Sequence, residues 1–142
     1  MKNVSRRSIV VALASLAALV SGRGNAAPDE SRRAFIDQAF AMKRRAVESG
    51  DQPFGAVIVC ASDIVGYGPS RVVIKKDWTA HAEREAIRDA QTRLGRKDLS
   101  DCVMYSTSRP CSDCERAAAD AKLARMYVGA EAADAGTPRQ MP

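Results

Sequence analysis

The sequence predicts an α/β domain in three layers, with a central mixed sheet covered by helices on both faces. Three observations predict it. The elements follow the order helix, strand, strand, helix, strand, helix, strand; the apolar spacing alternates between helical and short-strand patterns; and 142 residues, 46% hydrophobic and 27% charged, suffice for one core but not for two ordinary domains.

The first 26 residues read as an address and not as part of that domain. Met1 to Arg7 give a positive start, Ile9 to Val20 an apolar run, and Ser21 to Ala27 a small or polar stretch, the three-part plan of an export signal. The run is too short to span a bilayer. Ser5-Arg6-Arg7-Ser8-Ile9-Val10 resembles the twin-arginine signal, with Ile9 where phenylalanine is often found. Residues 1–26 are therefore expected to be a twin-arginine-type export signal, cleaved after Ala26 or Ala27, and residues 27–142 a periplasmic or secreted domain with no stable membrane anchor. The competing reading is an N-terminal core helix or anchor.

Charge supports this division. Lys2, Arg6, Arg7 and Arg23 fall in the first 26 residues with no acid, which leaves 18 of the 22 bases against all 17 acids downstream. The overall +5 thus becomes +1, and the argument for a polyanionic partner mostly disappears.

In the remaining chain, Phe35, Ile36, Ala39, Phe40 and Val47 recur near helical spacing, and Gly50 is placed to stop the helix. Phe54 to Cys60 is a Val/Ile-rich run, followed across a Ser62-Asp63 turn by Ile64 to Tyr67, which reads as a hairpin. Gly68 to Trp78 is expected to be loop. From Thr79, the positions Ala82, Ala86, Ile87, Ala90 and Leu94 trace one helical face that ends at Gly95. Cys102 to Thr107 reads as a strand, Pro110 opens a helix through Cys114, Ala118 and Ala121, and Arg125 to Val128 form a short final strand. The last 13 residues, rich in Ala, Pro and Gly, are expected to be weakly ordered.

Two clusters carry the chemistry. His81-Ala82-Glu83 begins one predicted helix, and Pro110-Cys111-Ser112-Asp113-Cys114 begins another about thirty residues later. Alone, the Cys-x-x-Cys could be a redox pair or half of a structural zinc site, and the lone histidine a structural residue. Together, two sulfurs one helical turn apart and one imidazole make three ligands, and a zinc ion so held keeps a fourth position for water. A helix N-terminus favours the negative charge of the thiolates. Zinc brings a water's pKa down to roughly 7, and Glu83, two residues from the histidine, is placed to move the proton.

Pro53-Phe54-Gly55-Ala56-Val57-Ile58-Val59, Thr79-Ala80-His81-Ala82-Glu83, Ala86-Ile87 and Pro110-Cys111-Ser112-Asp113-Cys114 together resemble the zinc nucleobase and nucleoside deaminases of the cytidine-deaminase superfamily. The likeness runs from about Phe35 to Gly136 and is greatest to guanine deaminases, with transfer-RNA adenosine deaminases close behind. It implies a cytidine-deaminase-like fold and a zinc-dependent hydrolysis of an exocyclic amine on a purine or pyrimidine base or nucleoside, releasing ammonia. His81, Cys111 and Cys114 would hold Zn2+ and Glu83 would be the catalytic proton carrier. Ser70, Trp78, Phe54 and Ala82 would bind substrate. Ser70 stands where relatives often place an asparagine, Trp78 where they place a proline, and Arg109 where an acid usually precedes the Pro-Cys pair. The chain also ends sooner after its last predicted strand than guanine deaminases do.

Trp78 is open to two readings, stacking on a planar base or simple packing, and Lys75 and Lys76 to two others, a phosphate contact or a solvated loop. Cys60 and Cys102 lie at the ends of predicted strands; they form a disulfide if those strands are antiparallel neighbours in an oxidising compartment, and otherwise stay buried thiols. Two further classes of function compete. A thiol oxidoreductase would need only Cys111 and Cys114, and a non-catalytic zinc-stabilised module would need Cys60 or Cys102 as a fourth ligand. The expected partners are a small-molecule base or nucleoside, in preference to nucleic acid, and a second copy of the chain in a homodimer.

Overall fold

Pro28 opens the first helix, where its fixed φ and missing N–H fit the leading turn. The structure, a computed structural model, describes residues 28–140, so the expected export signal lies outside the described residues. The elements are α1 (Pro28–Glu48), β1 (Gly55–Cys60), β2 (Asp63–Pro69), α2 (Val72–Lys75), α3 (Ala82–Leu94), β3 (Cys102–Ser106), α4 (Ser112–Asp120), β4 (Arg125–Val128) and β5 (Ala133–Gly136). The five strands lie in the order β2-β1-β3-β4-β5. Only β3 and β4 run parallel, joined through α4, and the other neighbours are antiparallel. Among the described residues no helix is long and apolar enough to cross a membrane.

The three layers follow from side-chain alternation. All six residues of β1 are buried, as expected of a strand covered on both faces. Val57 and Val59 pack with Ile36, Ala39 and Met42 of α1 and with Tyr105 and Tyr127 of the neighbouring strands. Ala56, Ile58 and Cys60 face the opposite way, onto Ala82, Ala86 and Ala90 of α3, Ala118 of α4 and Met104.

Small residues set how closely α3 approaches. A Cβ added at Gly68 would lie 2.6 Å from the Ala86 nitrogen and against the Ala82 carbonyl, and one at Gly66 would lie 2.8 Å from the Ala90 Cβ. The Ala stripe of α3 therefore rests directly on the glycines of β2. This contact fixes the position of the helix that carries His81 and Glu83.

Three details differ from the sequence reading. The hairpin turn is Ala61-Ser62, because Cys60 pairs with Asp63, and both turn residues take the positive φ that a two-residue hairpin loop requires. The stretch from Gly68 to Trp78 contains α2, a single helical turn with too few residues for periodicity to reveal. The chain's last segment is not loose: β5 pairs with β4, Asp134 pairs with Arg125, and Glu115 accepts hydrogen bonds from the Arg139 N–H at 3.1 Å and its Nε at 3.2 Å. Backbone pairing and these ion pairs hold a segment whose composition carries no strand signal. Of the two readings open for Cys60 and Cys102, the structure has the disulfide: they are directly opposed across the antiparallel pair β1 and β3 and are bonded to each other.

Candidate active site

Both chemical clusters sit where a loop meets a helix. His81 is the N-cap of α3 and Cys111 the N-cap of α4, and neither side chain is used to cap its own helix. The backbone starts the helices without them, since the His81 and Cys111 carbonyls already accept from Glu85 and Glu115. Their side chains are left to project beyond the helix ends, and the partial positive charge of the two N-termini favours sulfur in its anionic form there.

The two ends converge. His81 Nδ1 lies 3.7 Å from Cys111 Sγ and 3.4 Å from Cys114 Sγ, and the three ligand atoms lie within 4.8 Å of one another. Zinc bonds of roughly 2.0–2.1 Å to nitrogen and 2.3 Å to sulfur at tetrahedral angles put those atoms about 3.6 Å apart. The two distances bracket that value, so the side chains fit a zinc ion as they stand. Burial pushes the Cys114 thiol upward in pKa, and the neighbouring Glu83 and Cys111 push it further.

The structure narrows the alternatives. Cys111 and Cys114 are free thiols, which a metal site and a reduced dithiol pair both need. A fourth protein ligand for a closed zinc module would have to come from Cys60 or Cys102, which are joined to each other. Ser106, at the other end of β3 from Cys102, reaches the site instead; four strand rises separate them by about 13 Å.

Glu83 is 5% exposed, one residue into α3, and its Oε1 accepts a hydrogen bond of 3.0 Å from Ser106 Oγ. Periodicity along β3 could have found Ser106, since Cys102, Met104 and Ser106 alternate onto the face covered by α3. A cavity of about 150 Å³ opens over this group, lined by Gln52, Phe54, Ser70, His81, Ala82, Glu83, Ser108, Arg109 and Cys111. Ala82, Ser70 and Phe54 thus line the cavity that holds Glu83, as does Arg109. Trp78 does not: it is 81% exposed and borders a neighbouring hollow with Thr79, His81, Arg84 and Asp113.

Ser70 is buried, and its hydroxyl donates to Asp51 Oδ1 at 2.8 Å. The Asp51 carboxylate also accepts from the backbone N–H groups of Gln52, Val73 and Ile74 at 2.8, 3.0 and 2.9 Å, so it caps α2 from twenty residues upstream. No local pattern in the sequence could announce a cap supplied from so far away. Burial raises the Asp51 pKa, but the four hydrogen bonds outweigh it and leave the group below the usual carboxylate range. A lowered folded value means that Asp51 stabilises the fold above its unfolded pKa and loses that contribution as pH falls through the folded one. Asp51→Asn is expected to cost about 1–3 kcal/mol at pH 7 in chemical denaturation. Its deficit against the parent should shrink steadily below about pH 4; a deficit independent of pH would rule out the carboxylate as the cause.

The cytidine and deoxycytidylate deaminase zinc-binding region matches residues 29–130. The chain is 38% identical over 102 residues to the guanine deaminase of Bacillus subtilis, covering 71% of this chain and 65% of that one. The tRNA-specific adenosine deaminase of Aquifex aeolicus is 36% identical over 96 residues, covering 68% and 64%. The tRNA(Ile)-lysidine synthase of Deinococcus radiodurans is 36% identical over 110 residues, 77% of this chain but only 19% of that protein. The chain therefore spans from about one fifth to just under two thirds of the length of these curated relatives. The solved structure of the B. subtilis guanine deaminase superposes with a TM-score of 0.66 at 37% identity, over 68% of this chain and 62% of that one. With the matched region spanning most of the chain and the same fold in its relatives, this protein belongs to the cytidine and deoxycytidylate deaminase family.

Proposed function

We propose that this chain is a zinc-dependent hydrolase that removes an exocyclic amine from a free purine or pyrimidine base or nucleoside, in the manner of guanine deaminases, and releases ammonia. The observation that carries the reading is the buried Glu83 carboxyl beside the His81, Cys111 and Cys114 triangle, with Glu83, His81 and Cys111 lining one cavity. Zinc held by those three residues supplies the Lewis acidity that activates water at neutral pH. Glu83 takes the water's proton and delivers it to the ring nitrogen, then carries a second proton, from the hydroxyl added to the ring carbon, to the departing amine, with Ser106 fixing its orientation. Phe54 and Ala82 offer apolar walls to a planar ring, and Gln52, Ser108 and Arg109 offer polar contacts at its edges. Ser70, its hydroxyl hydrogen committed to Asp51, contributes only acceptor capacity toward a substrate.

The size of the cavity supports a single base inserted into it, and the net +1 of residues 27–142 gives little general attraction for RNA. The tRNA-acting relatives keep an RNA adenosine as the competing substrate. Export is part of the proposal: the N-terminal charge and apolar pattern support it, and so does the Cys60–Cys102 disulfide, a bond that persists in oxidising compartments. Exposed Val73, Ile74 and Trp78 support self-association as a homodimer.

The test is ammonia release by zinc-loaded protein lacking residues 1–26, offered guanine, cytosine, adenine, their nucleosides and an RNA stem-loop. Turnover of one base or nucleoside is expected, abolished by a chelator and restored by zinc. Release from the stem-loop alone would replace the substrate class; silence across the panel, with zinc bound and the domain folded, would sink the reading.

A further inference from the structure

A second hollow, of about 390 Å³, lies between α1, β2, α2 and α3 and shares no lining residue with the cavity over Glu83. Its walls hold five cations, Arg45, Arg71, Lys75, Arg88 and Arg93, against two acids, Glu85 and Asp89. Both acids are already occupied. Glu85 accepts Lys75 Nζ at 2.6 Å and Arg88 Nη1 at 2.8 Å, and Asp89 accepts Arg93 Nε and the Tyr67 N–H, each at 2.9 Å. Arg45 and Arg71 have no carboxylate partner among the described residues. Arg71 is nevertheless held in place: its Nη1 donates to Ser49 Oγ at 3.2 Å, and that hydroxyl donates to the Arg45 carbonyl at 2.6 Å.

The hollow thus carries a local charge of +3 in a domain whose net charge is only +1. Two guanidiniums without a counter-charge, one of them pre-positioned, present planar donor forks that match the oxygens of a phosphate, and a dianion suits a pair of them. The Tyr67 ring, with the Arg93 guanidinium 5.2 Å from its centroid, borders the same space and offers a flat surface. A hollow of this volume, with its unpaired cations confined to Arg45 and Arg71, suits a single compact anion better than the continuous phosphate track of a long polyanion.

We propose that this hollow is a phosphate-binding site for a phosphomonoester, the terminal phosphate of a mononucleotide, with Arg45 and Arg71 as its principal contacts. A phosphomonoester carries between one and two negative charges near neutral pH, which suits the +3 of the hollow. Free inorganic phosphate has the same chemistry, and the experiment separates the two sources.

The zinc-loaded protein is titrated calorimetrically at low salt with inorganic phosphate, with a 5′-mononucleotide and with an RNA stem-loop. The Arg45→Gln/Arg71→Gln double variant and a Lys97→Gln control are run beside it. Saturable one-to-one binding of the mononucleotide is expected, tighter than that of phosphate alone, and roughly tenfold or more weaker in the double variant. The control should bind within about twofold of the parent. Equal affinity for phosphate and mononucleotide would reassign the site to the free anion. No saturable binding of either, unchanged binding in a double variant that melts like the parent, or binding of RNA alone would overturn the proposal. Deamination of a free base should continue in the double variant, so a failed titration and a failed deaminase assay remain separate results.

Discussion

Glu83→Gln is expected to lower kcat by roughly 10²–10⁴-fold while zinc content and melting temperature stay near those of the parent. Glutamine keeps the volume of a side chain buried at the base of α3, and its amide oxygen can still accept the Ser106 hydroxyl. It cannot accept a proton and return it. The fall should therefore appear in kcat, with KM little changed, because the carboxyl acts on the reacting atoms after the base is bound. Single-turnover and steady-state rates on the preferred base, with metal analysis of the same sample, check this. A rate within tenfold of the parent would remove Glu83 from the proton path.

Loss of the Cys60–Cys102 disulfide is expected to cost about 4 kcal/mol of folding stability by the chain-entropy relation, for a bridge closing 42 residues. It staples β1 to the central strand β3, at the opposite end of their ladder from Ser106. The cost should fall on the fold and spare the chemistry, so residual activity per folded molecule should hold. Urea denaturation of the Cys60→Ala/Cys102→Ala variant, and of the parent treated with a phosphine reductant, should give matching midpoints well below that of the oxidised parent. A difference under about 1 kcal/mol would show that the reduced chain is already held by packing alone.

The sequence made the site more legible than its surroundings. His81, Glu83, Cys111 and Cys114 could be found because each pair sits within one helical turn, and chemistry that needs ligands on a single ion leaves short, rigid spacings. The three layers were also legible, since the alternation of Val57 and Val59 against Ile58 and the stripe of Ala82, Ala86 and Ala90 state which face each element buries. What escaped depends on distant partners. Asp51 serves a helix twenty residues away, Arg139 is fastened to Glu115 across the fold, and β5 is Ala-Asp-Ala-Gly, a strand by virtue of its neighbour and not of its composition. Trp78 lies three residues before His81 and shares with it only the neighbouring hollow, while His81 alone of the two also lines the cavity over Glu83. Whether a disulfide forms turned on strand neighbourhood, which no local window of sequence contains.

Gly66 and Gly68 touch no reactant, yet a methyl group on either would meet the backbone or an alanine of α3. A helix answers such a push by moving as one body, and this one carries His81 and Glu83, whereas Cys111 and Cys114 ride on α4. The distance between the halves of the candidate site is thus gauged on an outer strand. Random substitution should therefore find some of its least forgiving positions at residues that a survey of the cavity lining would pass over.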